Sequence, residues 1–189
     1  MAYLHRPSSE KAKKAKSLFI LIGFLGLIIF SLGAYLKYQK YTLSFKDSPP
    51  EITSIDKRNT VPTNIIISGV DINLPIEESH IVGGVWEISE TGASFLSSSA
   101  RPGEMGNIVI YGHNKKKLFG NLINKNLIGQ LVQIRSEDGT FYEYKISNVK
   151  TVSPTNIEDV LPTDRETLTL YTCTGILDSK RLIIKAYPL

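Results

Sequence analysis

An uncharged apolar run near the N-terminus sets the first limit on how this chain can fold. Residues 18–36 read LFILIGFLGLIIFSLGAYL and contain no charged side chain. In a helix, this run would be ~28 Å long at ~1.5 Å per residue, which is close to the hydrocarbon thickness of a bilayer. The run therefore predicts one transmembrane helix over residues 18–36.

The charges on either side of the apolar run predict its orientation. The basic residues closest to it are Arg6, Lys11, Lys13, Lys14 and Lys16 before the run, and Lys37 and Lys40 after it. The more basic flank of a membrane helix stays in the cytoplasm. Residues 1–17 are therefore expected to form a cytoplasmic tail, with the rest of a single-pass cell-membrane protein outside the cell.

Two other interpretations of the apolar run are weaker. A cleaved signal peptide would find only a poor cleavage site at Ser31-Leu32-Gly33, and the run is longer than the ~7 to 15 apolar residues of a signal peptide. A buried core helix would need other segments to surround it, and no other segment of the sequence is suited to do so. An uncleaved membrane anchor is the favoured interpretation.

Charge and cysteine content exclude two classes of protein. Residues 1–46 hold eight Lys/Arg and one Glu, a net charge of +7, while residues 47–189 hold fourteen Lys/Arg and seventeen Asp/Glu, a net charge of −3. A nucleic-acid-binding domain would carry the positive charge itself, so no nucleic-acid partner is expected. The single cysteine cannot form a disulfide framework within the chain.

Beyond the apolar run, the sequence divides into a linker and one folded domain. Residues 37–62 are polar, contain three prolines and show no clear period, which is typical of an extracellular stalk. In residues 63–189, short runs rich in β-branched residues alternate with turns that contain glycine and proline. About eight such runs with few helices predict an all-β domain, either a sandwich or a closed barrel.

Several segments of this domain have distinct signals. Residues 107–112 (NIVIYG) are apolar on both faces, which predicts an interior strand. Asp138-Gly139 is typical of a hairpin turn between two strands. Residues 118–127 are predicted to hold a helical turn or two, a strand is predicted over 71–76, and residues 153–166 form a long connection before the last two strands.

The last two strands bring the only cysteine next to an arginine. Residues 167–173 (TLTLYTC) and 181–186 (RLIIKA) alternate with period two around a turn-rich stretch, which predicts a β-hairpin. Cys173 and Arg181 each lie on the face opposite the leucines of their strand. A nearby cation stabilises the reactive thiolate of a cysteine. The alternative is that Cys173 is an inert core thiol and Arg181 an exposed edge charge.

Of the three histidines, one is placed where a catalytic group would be expected. His5 lies on the cytoplasmic side of the predicted helix, and His80 follows two glutamates in a polar stretch. His113 ends an apolar strand and opens into a loop. Strand ends that open into loops commonly carry catalytic residues on a rigid scaffold, whereas a strand-end histidine judged alone is more often a surface or capping residue.

Three motifs together resemble the sortase family. They are YGHN at 111–114, TLYTC at 169–173 and KRLIIKA at 180–186, and the likeness extends over about residues 63–189. The resemblance implies a closed eight-stranded β-barrel that carries a cysteine transpeptidase. By motif, Cys173 would be the nucleophile, His113 the acid and base, and Arg181 the third catalytic residue, while Thr172 would line the substrate groove.

The resemblance also implies substrates and partners. A sortase would cleave an LPxTG-like sorting signal between threonine and glycine through a thioacyl intermediate on its cysteine, and would transfer the acyl group to an amine. The expected partners are surface proteins that carry such a signal and an amine-bearing cell-wall precursor, both at the same membrane. The connection 153–166 is expected to help select the sorting signal.

Two further expectations concern cofactors and subtype. Some sortases are activated by calcium, and Glu104, Glu158 and Asp159 lie in comparable loops. A few acidic residues on a weakly acidic surface are usually solvated, so neither calcium nor another cofactor is expected. The sequence shows no second hydrophobic span after the domain, which argues against the pilus-polymerising sortases that carry one.

Two alternative functions remain open at this point. L,D-transpeptidases also use Cys, His and Arg on a β scaffold, but their nucleophile lies in an S-H-G-C context, whereas Leu-Tyr-Thr precedes Cys173 here. The second alternative is a non-catalytic, membrane-tethered β-barrel binding module in which Cys173 is inert. It does not require His113, Cys173 and Arg181 to come together.

Overall fold

The structure is a computed structural model that describes residues 9–40, 43–44, 60–123 and 125–189. The chain divides into two compact units, Met1–Tyr41 and Thr42–Leu189. Residues 1–8 of the predicted cytoplasmic tail, including His5, lie outside the described residues, as do residues 41–42 and 45–59 of the predicted stalk.

The first unit contains one long helix, α1, from Ser9 to Lys40. Its segment Leu18–Tyr35 is long and apolar enough to cross a membrane, and protein buries none of it. Such an exposed apolar surface suits a lipid environment and not a protein core. The helix is longer than the predicted span of 18–36 because the Lys, Ala and Glu residues before that span are strong helix formers.

The regular structure of the second unit consists of β-strands and a few short 3-10 turns. The strands are β1 (Leu43–Ser44), β2 (Pro62–Ile67), β3 (Ile72–Ser79), β4 (Ile81–Val82), β5 (Val85–Trp86), β6 (Ala93–Leu96), β7 (Asn107–Gly112), β8 (Leu131–Ser136), β9 (Phe141–Val152), β10 (Thr167–Thr174) and β11 (Lys180–Pro188). Short 3-10 turns occur at Ser68–Val70, Phe119–Leu122, Glu158–Val160 and Ile176–Asp178. The predicted helical turn within 118–127 is thus confirmed.

Eight of these strands close into a barrel in the order β10-β11-β9-β8-β2-β3-β6-β7, with β7 returning to β10. The β7–β10 and β3–β6 pairs are parallel, and the other barrel pairs are antiparallel. A small sheet of order β1-β5-β4 lies outside the barrel. The prediction of an all-β domain is confirmed, and of the two architectures the closed barrel is correct and the sandwich is wrong.

Strand β3 is longer than predicted because it changes partner at a proline. The sequence predicted a strand over 71–76 ending near Pro75, but β3 continues to Ser79. Residues up to Pro75 pair with β2, and residues from Ile76 onward pair with β6 on the other side. The proline has no N–H to donate. It is tolerated because it lies where pairing with β2 ends and pairing with β6 begins.

The barrel wall is buried on both faces, which separates the residues of β10 into two groups. The inner face contributes Leu168 and Leu170 to the main core, whereas Tyr171 and Cys173 join a second apolar cluster on the outer face. That outer cluster comprises Trp86, Leu96, Val109, Tyr111, Val160, Tyr171, Cys173 and Ile183. The predicted alternation along β10 is confirmed, and Cys173 lies on the outside of the barrel wall.

The segment after β7 folds over one end of the barrel and fixes the position of the strand end. A Cβ added to Gly112 would lie 3.3 Å from the Phe119 ring, so glycine allows this close approach. The Nδ2 group of Asn121 donates to the carbonyls of Val70 at 3.2 Å and Asp71 at 3.3 Å. The backbone is thus held on both sides of His113.

Candidate active site

The predicted hairpin forms, and it places the thiol and the guanidinium on directly opposed residues. In the antiparallel β10–β11 ladder, Cys173 is the Cα partner of Arg181. Residues opposed in this way point to the same face, with Cβ atoms typically ~4.5–5.5 Å apart. Both side chains are largely buried, with 7% of each residue exposed. The positive charge therefore lies beside Cys173 where water screens it poorly.

Arg181 is held in one orientation by three hydrogen bonds. Its Nε donates to the Tyr171 hydroxyl at 2.9 Å, and its Nη1 donates to the carbonyls of Asp178 at 2.7 Å and Lys180 at 3.0 Å. A planar guanidinium fixed at two nitrogens can direct the third toward an oxygen of a bound substrate without rearranging.

Tyr171 supports this arrangement from within the outer cluster. Its ring stacks at 6.0 Å on Trp86, which in turn meets Tyr111 edge to face at 4.9 Å. Burial raises the pKa of Tyr171 far above its ordinary value, although the charge of Arg181 acts in the opposite direction. The hydroxyl therefore stays protonated at neutral pH and accepts from Arg181 as a neutral group.

His113 reaches the same end of the barrel from the neighbouring strand. The parallel β7–β10 ladder ends with the pair Gly112 and Thr172, and the next residue in each chain segment is His113 or Cys173. Adjacent strands lie ~4.8 Å apart. The topology therefore brings all three residues singled out in the sequence to one edge of the β7-β10-β11 wall.

A carboxylate that the sequence did not single out contacts His113. Glu90 Oε1 lies 3.2 Å from His113 Nε2, and the other oxygen of Glu90 lies 2.5 Å from Lys115 Nζ. The hydrogen bond from Lys115 keeps the pKa of Glu90 below its ordinary value. Glu90 is thus ionised at neutral pH and can hold the imidazole ring in place from one nitrogen.

The pKa of His113 reflects opposing influences. Burial, and then the charge of Lys115, lowers the pKa of His113 below its ordinary value. Glu90 and the carboxylate of Asp178 act in the opposite direction. Without these two acids, the imidazolium form would be less accessible near neutral pH.

No local motif in the sequence points to Glu90, which precedes His113 by 23 residues. The relevant signal is topological. Strand β6 runs antiparallel to β7, so the segment just before β6 lies beside the segment just after β7. Knowledge of that pairing would have placed Glu90 next to His113.

Thr172 lies on the opposite face of β10 from Cys173. Its side chain is fully buried, and its Oγ1 donates to the Gly112 carbonyl at 2.8 Å. This bond fastens the end of β10 to the residue that precedes His113. The role predicted for Thr172 in lining the substrate groove stays a prediction.

Two loops frame the strand ends. The Nδ2 group of Asn114, just after His113, donates to Asp178 Oδ1 at 3.4 Å. A cleft between these loops is lined by Asn114, Gly120, Ile123, Thr174, Gly175 and Ile176. Within the described part of the chain, no three His, Cys, Asp or Glu side chains are grouped so that they could hold a metal ion.

Comparison with known proteins identifies the family. The sequence model of the sortase domain matches residues 65–189, which is most of the chain. The protein is a sortase. Sortase A of Bacillus anthracis is 26% identical over 162 residues, covering 79% of this chain and 73% of that protein.

Solved structures of other sortases share the fold. A lid mutant of sortase A from Corynebacterium diphtheriae is 25% identical with a TM-score of 0.57, covering 71% of this chain and 73% of its own. Sortase C1 of Streptococcus agalactiae, in complex with MTSET, is 26% identical with a TM-score of 0.56, covering 67% of this sortase and 66% of its own chain.

Membership of the family decides between the alternatives left open by the sequence. Sortases are cysteine transpeptidases that act on proteins carrying sorting signals, so this chain is an enzyme of that class. The L,D-transpeptidase and non-catalytic interpretations are not supported. The apolar helix is compatible with a single-pass membrane anchor.

Proposed function

We propose that this sortase cleaves an LPxTG-like sorting signal between threonine and glycine and attaches the protein that carries it to the cell wall. Cys173 would be the nucleophile, His113 the acid and base, and Arg181 the residue that stabilises the oxyanion. The supporting observation is that Cys173 opposes Arg181 in the β10–β11 ladder, at the barrel edge where His113 follows the end of β7.

The first half of the reaction forms the thioacyl enzyme. The Cys173 thiolate attacks the carbonyl carbon of the threonine, and the carbonyl oxygen becomes an oxyanion. The imidazolium of His113 then gives a proton to the departing glycine amine as the C–N bond breaks. Because Nε2 of His113 is engaged by Glu90, Nδ1 is the nitrogen available to the substrate.

The Arg181 guanidinium is suited to stabilise the oxyanion. Its Nε and Nη1 are already bonded to Tyr171, Asp178 and Lys180, so Nη2 can meet the developing charge. A donor fixed beforehand stabilises a transition state without the cost of orienting it during the reaction. Its burial increases the strength of the interaction.

The second half of the reaction transfers the acyl group to an amine. Neutral His113 takes a proton from the incoming amine, which attacks the thioester carbon and expels the Cys173 thiolate. The acceptor is proposed to be an amine of a cell-wall precursor that enters by the cleft between Asn114 and Ile176. The product is a new amide bond, and the enzyme returns to its starting state.

The proposed topology brings the reactants together at one membrane. Residues 1–17 would be cytoplasmic, 18–36 would span the membrane, 37–62 would form the stalk, and 63–189 would be the extracellular catalytic domain. Enzyme, sorting-signal protein and precursor would then share the outer face of the bilayer. Tethering raises their effective concentration without any new contact.

Intact-mass spectrometry of the full chain in detergent, mixed with LPxTG-like peptides, tests this proposal. A mass increase equal to the acyl part of the peptide is expected, and hydroxylamine should release it as expected for a thioester. Because the chain has one cysteine, a thioester-linked group must be on Cys173. A folded sample that gives neither adduct nor cleavage with any peptide would refute the proposed substrate class.

Replacing Glu90 with glutamine should shift the pH dependence of catalysis. Glu90 raises the pKa of His113, so its neutralisation should lower that pKa further below its ordinary value. The imidazolium would then be lost at lower pH, and the alkaline limb of kcat/KM should move toward acid. The measurement is a pH profile of peptide cleavage for wild type and Glu90→Gln.

A matched control for this change is Glu137→Gln, in the β8–β9 turn at the opposite end of the barrel. It removes the same charge from an exposed glutamate and should leave the pH profile of kcat/KM unchanged. An alkaline limb of Glu90→Gln that coincides with wild type would show that Glu90 does not tune His113. A shift in both variants would point to a general effect of net charge.

A further inference from the structure

A buried ion pair outside the proposed catalytic residues holds the connection 153–166 against the barrel. Asp159 lies in the turn Glu158–Val160 and is only 3% exposed. Its Oδ1 is 2.8 Å from Lys150 Nζ on β9 and 3.5 Å from Lys185 Nζ on β11. Its Oδ2 is buried, with no hydrogen-bond partner among the described residues. The two lysines therefore compensate the buried charge.

The backbone at this point is also fastened to the barrel. Asn107 Nδ2 on β7 donates to the carbonyls of Asp159 and Leu161, both at 2.9 Å. Thr169 Oγ1 on β10 donates to Asn107 Oδ1 at 2.7 Å and completes a buried network. The middle of the connection is thus attached to four barrel strands, although most residues on either side of it are at least partly exposed.

The attached turn packs on the outer cluster to which Cys173 belongs. Val160 is buried in the same outer cluster as Cys173 and Tyr171, and Ile157 packs against that cluster. The connection begins just after Val152, which is the Cα partner of Arg181 in the β9–β11 ladder. Residues 157–160 therefore contribute to the outer apolar cluster that also contains Cys173.

We propose that Asp159 is a positioning residue for the peptide substrate. Its ion pairs with Lys150 and Lys185 hold Ile157 and Val160 in place as a preformed apolar wall on the outer cluster that contains Cys173. This inference rests on the proposed function and adds a residue that controls substrate selection. Because the wall is already ordered before the peptide binds, no free energy is spent on ordering it during binding. Loss of the Asp159 ion pairs should therefore raise KM more than it lowers kcat.

The test compares Asp159→Asn with Asp164→Asn, an exposed aspartate in the same connection. With the peptide that wild type prefers, Asp159→Asn should raise KM by roughly three- to tenfold and leave kcat within about twofold. Discrimination against peptides altered between the proline and the threonine should decrease. Asp164→Asn should behave as wild type in both respects.

Hydrogen exchange of the backbone supplies a readout that does not depend on activity. The Val160 amide is bonded to the Ile157 carbonyl at 3.0 Å, and its exchange should accelerate by about tenfold or more in Asp159→Asn. Exchange in the barrel strands should stay close to wild type. This second readout tests the anchor even if wild type acts on no sorting peptide, which would be a failure of the proposed function alone.

Two results would overturn the inference. One is unchanged exchange of residues 156–161 in Asp159→Asn, and the other is a lower kcat at unchanged KM. If Asp159→Asn fails to fold, Lys150→Met is the alternative test. It removes the β9 lysine that pairs with Asp159 and leaves the sequence of the connection unaltered. It should act in the same direction with a smaller effect, because Lys185 still pairs with Asp159.

Discussion

Substituting Cys173 with alanine is expected to lower transpeptidation by roughly 10⁴-fold or more and to abolish the acyl adduct. The chain has no second thiol to replace the nucleophile. Alanine removes one sulfur atom from the outer cluster, which should cost about 1 kcal/mol of unfolding free energy. The measurements are peptide cleavage, intact mass and thermal unfolding of the two proteins.

Cys173→Ser separates packing from chemistry in this experiment. Serine nearly matches the size of cysteine, but its hydroxyl ionises far less readily than a thiol, so the variant should fold well and remain almost inactive. If Cys173 were an inert core thiol, both variants would retain activity close to wild type. That outcome would reject the assignment of Cys173 as the nucleophile.

Local pattern was enough to predict most of the barrel strands and the hairpin that brings two of the proposed catalytic residues together. The alternation of TLTLYTC and RLIIKA places Cys173 and Arg181 on one face, and the ladder puts them directly opposite each other. Both depend on side-chain period and a short turn, which are local properties. The same holds for β7, whose apolar character on both faces reflects burial inside and outside the barrel.

Contacts that depend on closure of the barrel could not be predicted in this way. Glu90 meets His113 only because β6 lies beside β7. Asp159 was expected among solvated loop acids, but the fold buries it between two lysines from different strands. Residue spacing alone does not specify which distant segments become neighbours. The Glu90–His113 contact and the burial of Asp159 both depend on such long-range strand pairing.

Arg181→Lys is expected to reduce kcat by about 10²- to 10³-fold, although the charge is kept. The guanidinium uses Nε and Nη1 to bond Tyr171 and two carbonyls, which fixes the orientation of its plane. An ammonium group is a single point of charge and cannot occupy both positions at once. Steady-state kinetics with the preferred peptide, together with thermal unfolding, should show a loss in kcat larger than any loss in stability explains.

Tyr171→Phe provides a graded comparison for Arg181. It removes the acceptor of Nε but keeps the guanidinium, so kcat should decrease by about tenfold, corresponding to one hydrogen bond that orients a charged group. The control is Tyr144→Phe. Tyr144 is a buried tyrosine that donates to Glu166 at 2.7 Å, so this variant measures the general effect of losing a buried hydroxyl and should keep kcat near wild type.

Near wild-type turnover by Arg181→Lys would refute the oriented-guanidinium role, because charge alone would then be sufficient. If Tyr171→Phe and Tyr144→Phe lost equal activity, the hydroxyl of Tyr171 would matter for folding and not for holding Arg181.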